Sequence, residues 1–195
     1  MQKIVMFNRV SADGYFADEH GGLDWTVSDD ELDDEAASSM PSTGTMLFGR
    51  KTYDIFEAFW PHAGDEDPHA AGRHNPAIKK MAEWINAAPK VVFSKTKKEV
   101  TWHNSRLISR FDADEVRKIK ADSSQDIMIF GSGSIVSLLS QHRLIDEYRF
   151  VVGPLLLGKG QPMLRDMPHG LRLELADVKQ YRSGNVQLRY VPATG

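Results

Sequence analysis

Two short apolar runs in this chain end on glycine and pass at once into a helix start. Residues Thr45–Tyr53 read TMLFGRKTY, and residues Ile127–Ser134 read IMIFGSGS ahead of a helix with Ile135, Leu138 and Leu139 on one face. Strand, tight turn and helix in that order is the repeating unit of a largely parallel α/β sheet. Gly49 permits a sharp turn at the strand end, and Thr52 offers a hydroxyl and an N–H at the helix N-terminus, where the dipole favours anions. Arg50 and Lys51 add fixed positive charge beside those donors. This is the build of a nucleotide phosphate site, although cation pairs flanking a helix are also commonly just solvated. In the second turn, Gly131-Ser132-Gly133-Ser134, the glycines serve either a phosphate or plain helix–sheet packing. The full G-x-G-x-x-G fingerprint is missing, because position 136 is Val.

The segments around these turns keep the same alternation. Lys3–Val10 reads as a first strand, and Asp13-Gly14 signals a turn before the short extended Tyr15-Phe16-Ala17. Ser28 and Glu31 fit a capping box, which predicts a helix over Asp29–Met40. Met46–Phe48 is the next strand, and Thr52–Trp60 is a helix carrying Tyr53, Phe56 and Trp60 inward until Pro61 ends it. After a loop rich in Pro, Gly, His and Asp from Pro61 to Pro76, the pattern predicts a helix over Pro76–Ala87 and strands at Lys90–Phe93 and Arg106–Ile108. Asp112 then caps a helix to about Ala121. The C-terminal part differs. Glu147–Val152, Arg172–Tyr181 and Asn185–Val191 read as strands, the last two joined through Ser183-Gly184 as an antiparallel hairpin. Gly153–Pro162, with three glycines and two prolines around Leu155-Leu156-Leu157, reads as too broken for regular structure.

Length and composition narrow the partners. A chain of 195 residues, 41% hydrophobic and 26% charged, can bury one substantial core, so residues 1–195 are expected to form a single domain. No apolar run approaches a membrane span, and Met1–Asn8 is too short and strand-like for a signal peptide, which predicts a cytoplasmic protein that does not engage membranes. The absence of cysteine excludes disulfides, thiolate catalysis, Fe–S clusters and Cys-containing zinc sites, the nucleoside-deaminase zinc included. A net charge of -3 gives no footprint for nucleic acid. A small-molecule pocket is the remaining expectation. Its carboxyl-edge neighbours include Phe93-Ser94-Lys95-Thr96, a third strand end with hydroxyls and a cation. His62, His69 and His74 with Asp65 and Asp67 match no ligand spacing, and no metal is expected there. Trp25, Phe56 and Trp60 either line a pocket for an aromatic ligand or belong to the core.

In combination and order, the following residues resemble the dihydrofolate reductase superfamily, and within it the reductase domain of the riboflavin-biosynthesis deaminase-reductase and its stand-alone relatives. They are Ser11-Ala12-Asp13-Gly14-Tyr15-Phe16-Ala17, Asp24-Trp25, Phe48-Gly49-Arg50-Lys51-Thr52-Tyr53, Phe93-Ser94, Ile129-Phe130-Gly131-Ser132-Gly133 and Val152-Gly153-Pro154-Leu155-Leu156-Leu157-Gly158-Lys159-Gly160. The resemblance covers nearly the whole chain. It implies an α/β fold with a mixed, mostly parallel sheet flanked by helices and closed by a C-terminal antiparallel hairpin. It also implies a homodimeric, NADPH-dependent reductase acting on a small heterocyclic substrate. Gly49, Arg50, Lys51 and Thr52 would then meet cofactor phosphates, Ser94 and Lys95 the adenosine side, and Gly131, Ser132, Gly133 and Ser134 the pyrophosphate. The Gly153–Gly160 stretch, with Leu156 and Gly158, would face substrate together with Trp25.

Two departures from the resemblance remain. Gly131-Ser132 stands where folate reductases have a Gly-Gly pair. The acid that folate reductases carry on the first helix, five residues after the Trp, falls on Asp30, whereas the riboflavin-type reductases favour the acid of the Asp13-Gly14 motif. Asp13 is therefore ranked above Asp30 as the substrate-side acid. As plain structural elements, Asp13 would be a turn residue and Asp30 a helix-start carboxylate. Two rival functions stand beside the reductase: a true folate reductase using Asp30, and a nucleotide-binding or regulatory protein without turnover.

Overall fold

The computed structural model describes residues 2–39, 43–64, 75–165 and 167–193. Along the chain come β1 (Ile4–Ser11), β2 (Tyr15–Ala17), α1 (Asp30–Ser39), β3 (Thr43–Gly49), α2 (Arg50–Phe59), α3 (Pro76–Ala87), β4 (Lys90–Phe93) and β5 (Ser105–Ile108). Then follow α4 (Ala113–Asp122), β6 (Asp126–Phe130), α5 (Gly133–Gln141), β7 (Glu147–Gly153), β8 (Gln161–Pro162), β9 (Leu173–Gln180) and β10 (Val186–Pro192). The main sheet has the order β5-β4-β3-β6-β1-β7-β10-β9. The first six of these strands are mutually parallel, β10 is antiparallel to β7, and β9 is antiparallel to β10.

Helices cover both faces, which is why the central strands are apolar on both sides instead of alternating with polar residues. On one face Ile4, Met6 and Val10 of β1 join Ile127 and Ile129 of β6, Val116 of α4 and Ile135, Val136 and Leu139 of α5. On the other, Val5, Met46, Phe48 and Met128 pack against Tyr53 of α2, Met81 and Ile85 of α3 and Ala37 of α1. Each fully buried aliphatic side chain in these layers contributes about 1.5–3 kcal/mol.

The register builds a step at the carboxyl edge. Gly49 lies opposite Phe93, Leu47 opposite Ile129 and Phe7 opposite Phe130, so β3, β4 and β6 end at one level. β1 and β7 run on together until Ser11 faces Gly153, four residues past Phe7, or about 13 Å at the rise of a strand. The glycine turns occupy the low step, and the β1–β7 extension forms a wall beside them.

Several boundaries differ from the sequence reading. Asp29, not Ser28, caps α1: its Oδ1 accepts the Leu32 N–H at 2.9 Å while Ser28 is exposed. A carboxylate one residue closer to the helix outcompetes the expected serine cap. α2 begins at Arg50, two residues earlier than expected, because Gly49 itself is the cap residue. The Gly153–Pro162 stretch is not wholly irregular, since β8 pairs with β2 in a small antiparallel sheet. The helices starting at Pro76 and Ala113 are as expected, capped by the side chains of Asn75 and Asp112. His69, His74, Asp65 and Asp67 lie outside the described residues. Among the described residues no helix is long and apolar enough to cross a membrane, and no group of three or more His, Cys, Asp and Glu could hold a metal ion.

Candidate functional site

All six parallel strands deliver their carboxyl ends to one edge, the edge at which open α/β sheets bind ligands. At the end of β3, Gly49 caps α2 with no side-chain cap, and Arg50, Lys51 and Thr52 follow as the first helical residues. There is no acidic residue in that first turn. Two cations at the positive end of a helix oppose the dipole, so the helix gains nothing from them unless an anion completes the site.

Ser132, at the end of β6, joins the two glycine turns. Its Oγ accepts the Gly49 N–H at 2.7 Å and donates to Thr52 Oγ1 at 2.8 Å. Gly131 and Ser132 are both left-handed, with φ of 53° and 61°. Gly131 has no room for a side chain, since a Cβ would lie 2.9 Å from Thr52 Oγ1. Ser132 tolerates a backbone that costs a non-glycine residue about 1–2 kcal/mol. Its hydroxyl offsets that cost by satisfying a buried amide. Gly133 opens α5, again without a side-chain cap, and a Cβ there would meet the Met163 carbonyl at 2.7 Å. Ser134 is exposed. The turn is thus fixed from behind by the segment after β8, where Ser137 Oγ also accepts the Arg165 N–H at 3.0 Å.

At the end of β4, Ser94 is buried and its Oγ accepts from the amides of Thr96 at 3.3 Å and Lys97 at 2.9 Å. Lys97 Nζ reaches Asp54 Oδ1 on α2 at 2.8 Å, and Asp54 Oδ2 accepts from Arg50 Nη1 at 3.2 Å. The hydrogen bond to Asp54 raises the Lys97 pKa above its ordinary value. Lys51 and Lys95 are exposed and have no ion-pair partner among the described residues. The structure therefore brings Gly49, Arg50, Lys51, Thr52, Gly131, Ser132, Gly133 and Ser134 onto two adjacent turns, with Ser94 and Lys95 on the next strand end.

On the wall side, Asp13 fastens two loops together. Its Oδ1 accepts from the Ser11 hydroxyl at 2.6 Å and the Leu157 amide at 3.1 Å, and its Oδ2 accepts from the Gly158 amide at 2.7 Å. The Ser11 bond first, then the Leu157 and Gly158 amides, hold this carboxyl below its ordinary range. The Ala12 amide donates to the Leu155 carbonyl at 2.8 Å, and Lys159 pairs with Glu19 at 2.6 Å. With β2 and β8 these contacts make one laced strap. Gly158 sits in it at φ 71°, and Leu156 is 73% exposed at its surface. Trp25 is half-buried over Gly153, whose Cβ position would be 3.6 Å from Trp25 Cζ3, and its Nε1 is buried without a partner among the described residues.

Asp30 is exposed at the first position of α1 and lines a cavity of about 500 Å³ with Asp29, Glu31 and Arg182. Of the α1 acids, Asp33 meets β1, paired with Arg9 at 3.2 Å and raised in pKa by burial, while Glu35 accepts from Lys179 of β9 at 2.6 Å. Sequence reading missed Asp33, Asp54 and Lys97. Only the i,i+4 spacing of Arg50 and Asp54 was available as a signal. Phe56 and Trp60 belong to the core.

Comparison with known proteins agrees with this architecture. Residues 2–187 match the RibD C-terminal domain. Among solved structures, a putative riboflavin biosynthesis protein from Shewanella sp. PV-4 superposes with a TM-score of 0.76 at 22% identity, covering 99% of this chain and 100% of that one. The Thermotoga maritima diaminohydroxyphosphoribosylaminopyrimidine deaminase/5-amino-6-(5-phosphoribosylamino)uracil reductase gives 0.66 at 14% identity, over 98% of this chain and 57% of that one. Dihydrofolate reductase from Enterococcus faecalis, complexed with NADP(H), gives 0.64 at 10% identity, over 98% and 97% of the two chains. The mixed, mostly parallel sheet with its C-terminal hairpin is thus a dihydrofolate-reductase-like fold, and the chain belongs to the RibD C-terminal domain family.

Proposed function

We propose that this protein is a cytoplasmic NADPH-dependent reductase that transfers hydride to a C=N or C=O carbon of a small heterocyclic substrate, in the manner of the riboflavin-pathway aminopyrimidine reductases. The observation that carries the reading is the Ser132 bridge. It locks two uncapped helix N-termini side by side at the carboxyl edge, with Arg50 and Lys51 at the first of them. Two such anion sites suit the separated phosphates of a dinucleotide. That a folate reductase of the same fold is known with NADP(H) supports the cofactor assignment.

On this reading Gly131–Ser134 hold the pyrophosphate through backbone amides, and Thr52 and Arg50 hold phosphate oxygens. Ser94 and Lys95 border the adenosine half. The bound nicotinamide supplies the hydride. The protein's own share is orientation and exclusion of water beside the β1–β7 wall, where Trp25, Leu156 and Gly158 border the substrate. Asp13 is ionised and engaged by three donors, so it acts as a positioning residue that keeps the strap closed. The proton comes from water at the substrate end. Asp30, exposed at the helix start, favours this layout over a folate reductase.

The test is fluorescence titration with NADPH, followed by NADPH oxidation against a panel of aminopyrimidines, imines and carbonyls. Saturable binding with oxidation by at least one heterocycle supports the assignment. Binding with no turnover across the panel favours a non-catalytic nucleotide-binding protein.

A further inference from the structure

Asp54 is the carboxylate shared by a cation at the start of α2 and a cation in the loop after β4. Arg50 Nη1 lies 3.2 Å from its Oδ2, and Lys97 Nζ lies 2.8 Å from its Oδ1. The remaining surroundings tie Lys97 in place independently. Its backbone amide is held by Ser94 Oγ at 2.9 Å, and its ammonium sits 5.0 Å over the Tyr53 ring. The neighbouring carboxylate, Glu57, is occupied by the Tyr53 hydroxyl at 3.0 Å and the Thr101 hydroxyl at 2.7 Å, and lies 3.9 Å from Lys97.

The Arg50–Asp54 pair is half-exposed, and its order along the helix, cation before anion, is the weaker one. Exposed pairs of this kind contribute little and yield readily to a stronger anion. A phosphate dianion offers these cations twice the charge of a carboxylate. Arg50 uses one of five guanidinium donors on Asp54, so among the described residues most of its fork is uncommitted.

Resting on the reading of Gly49–Thr52 as a phosphate site, we propose that Asp54 is a resident counter-ion that competes with a nucleotide 2′-phosphate for Arg50 and Lys97. It thereby limits how strongly the protein prefers 2′-phosphorylated nucleotides. Removing its charge releases both cations and removes repulsion toward the dianion, while Lys97 keeps its contacts to Ser94 and the Tyr53 ring.

The experiment is calorimetric titration of wild type, Asp54→Asn, Asp54→Ser and Asp54→Glu with adenosine 2′,5′-bisphosphate and with AMP, at low and high salt. Asp54→Asn and Asp54→Ser are expected to bind the bisphosphate about threefold to tenfold more tightly than wild type at low salt, with AMP unchanged and the gain shrinking as salt rises. Asp54→Glu, which keeps the charge, is expected to behave as wild type. If wild type prefers the bisphosphate but neither neutral variant binds it more tightly, or if AMP tightens equally, Asp54 is only a surface ion pair and the inference is wrong. If wild type does not distinguish the two nucleotides, the phosphate-site reading falls and this inference with it.

Discussion

The Ser132 hydroxyl accepts the Gly49 amide at 2.7 Å across 83 residues of chain, and this one bond sets the spacing of the two helix N-termini at the carboxyl edge. Gly49 packs closely on this serine: a Cβ there would lie 3.1 Å from Ser132 Cβ and Oγ, so a larger residue would push the bridge aside. The serine therefore plays two parts. It satisfies a buried donor, and through Thr52 it orients a second hydroxyl at the start of α2.

Ser132→Ala should uncouple the turns. The stranded Gly49 amide is expected to cost about 1–3 kcal/mol in urea unfolding. Because the pyrophosphate is common to both cofactors, NADPH and NADH affinity should fall together. A loss confined to NADPH would contradict the pyrophosphate role of this turn.

Asp13→Asn should slow turnover on a confirmed substrate while leaving NADPH affinity nearly unchanged, since Asp13 bonds to Ser11 and to the Leu157 and Gly158 amides of the strap, and to none of the residues of the two glycine turns. Hydrogen exchange at the Leu157 and Gly158 amides should accelerate in the variant. The folded-state pKa of Asp13 lies below the ordinary 3.8, so its contribution is fully present above that value and is lost as pH falls through the lower folded value. Exchange at these two amides should consequently stay slow down to the ordinary carboxylate range. Unchanged exchange in Asp13→Asn would refute the latch.

The C-terminal hairpin leaves an apolar face uncovered. Val178 opposes Leu188 and Leu175 opposes Tyr190 in the β9–β10 register, and Leu175 and Val178 are 56% and 51% exposed. Such a surface on an edge strand predicts a homodimer. Light scattering should give a dimer mass at micromolar concentration, and Val178→Asp should shift it to monomer. A monomer mass for wild type would reject the prediction.

Lys90 is buried with its Nζ donating to the carbonyls of Asn86 at 2.9 Å, Ala88 at 2.8 Å and His103 at 3.2 Å. Burial pushes its pKa down to about 8, whereas the unfolded chain keeps the ordinary 10.5. Between those values the unfolded state binds more protons, so the contribution of this group to stability rises with pH. Denaturant unfolding should show a gain on the order of 2 kcal/mol between pH 8 and 10 in wild type relative to Lys90→Met. Parallel pH profiles would contradict it.

The strand-to-glycine-to-helix turns were legible in the sequence because each is local: a few apolar residues, one glycine, one helix start. Their partnership was not, since the Ser132 bridge joins residues 83 apart and no spacing rule announces it. The same reason hid β8, whose two residues form a strand only because Tyr15–Ala17 lies beside them. Asp30 and Asp33 show a different limit. Both belong to one acidic helix start, and which of them faces the sheet depends on how α1 rotates onto it, a tertiary choice that places Asp33 against Arg9.

The central claim, that Gly49–Thr52 and Gly131–Ser134 bind a phosphorylated dinucleotide, is tested most directly by calorimetric titration of wild type, Arg50→Ala and Lys51→Ala with NADPH and NADH at low and high salt. Each charge-assisted hydrogen bond to the 2′-phosphate is worth about 1.5–3 kcal/mol before solvent screening. Wild type should therefore prefer NADPH, both variants should lose NADPH affinity far more than NADH affinity, and added salt should narrow the gap. Equal binding of the two cofactors by wild type, or equal losses of both in the variants, would contradict the assignment.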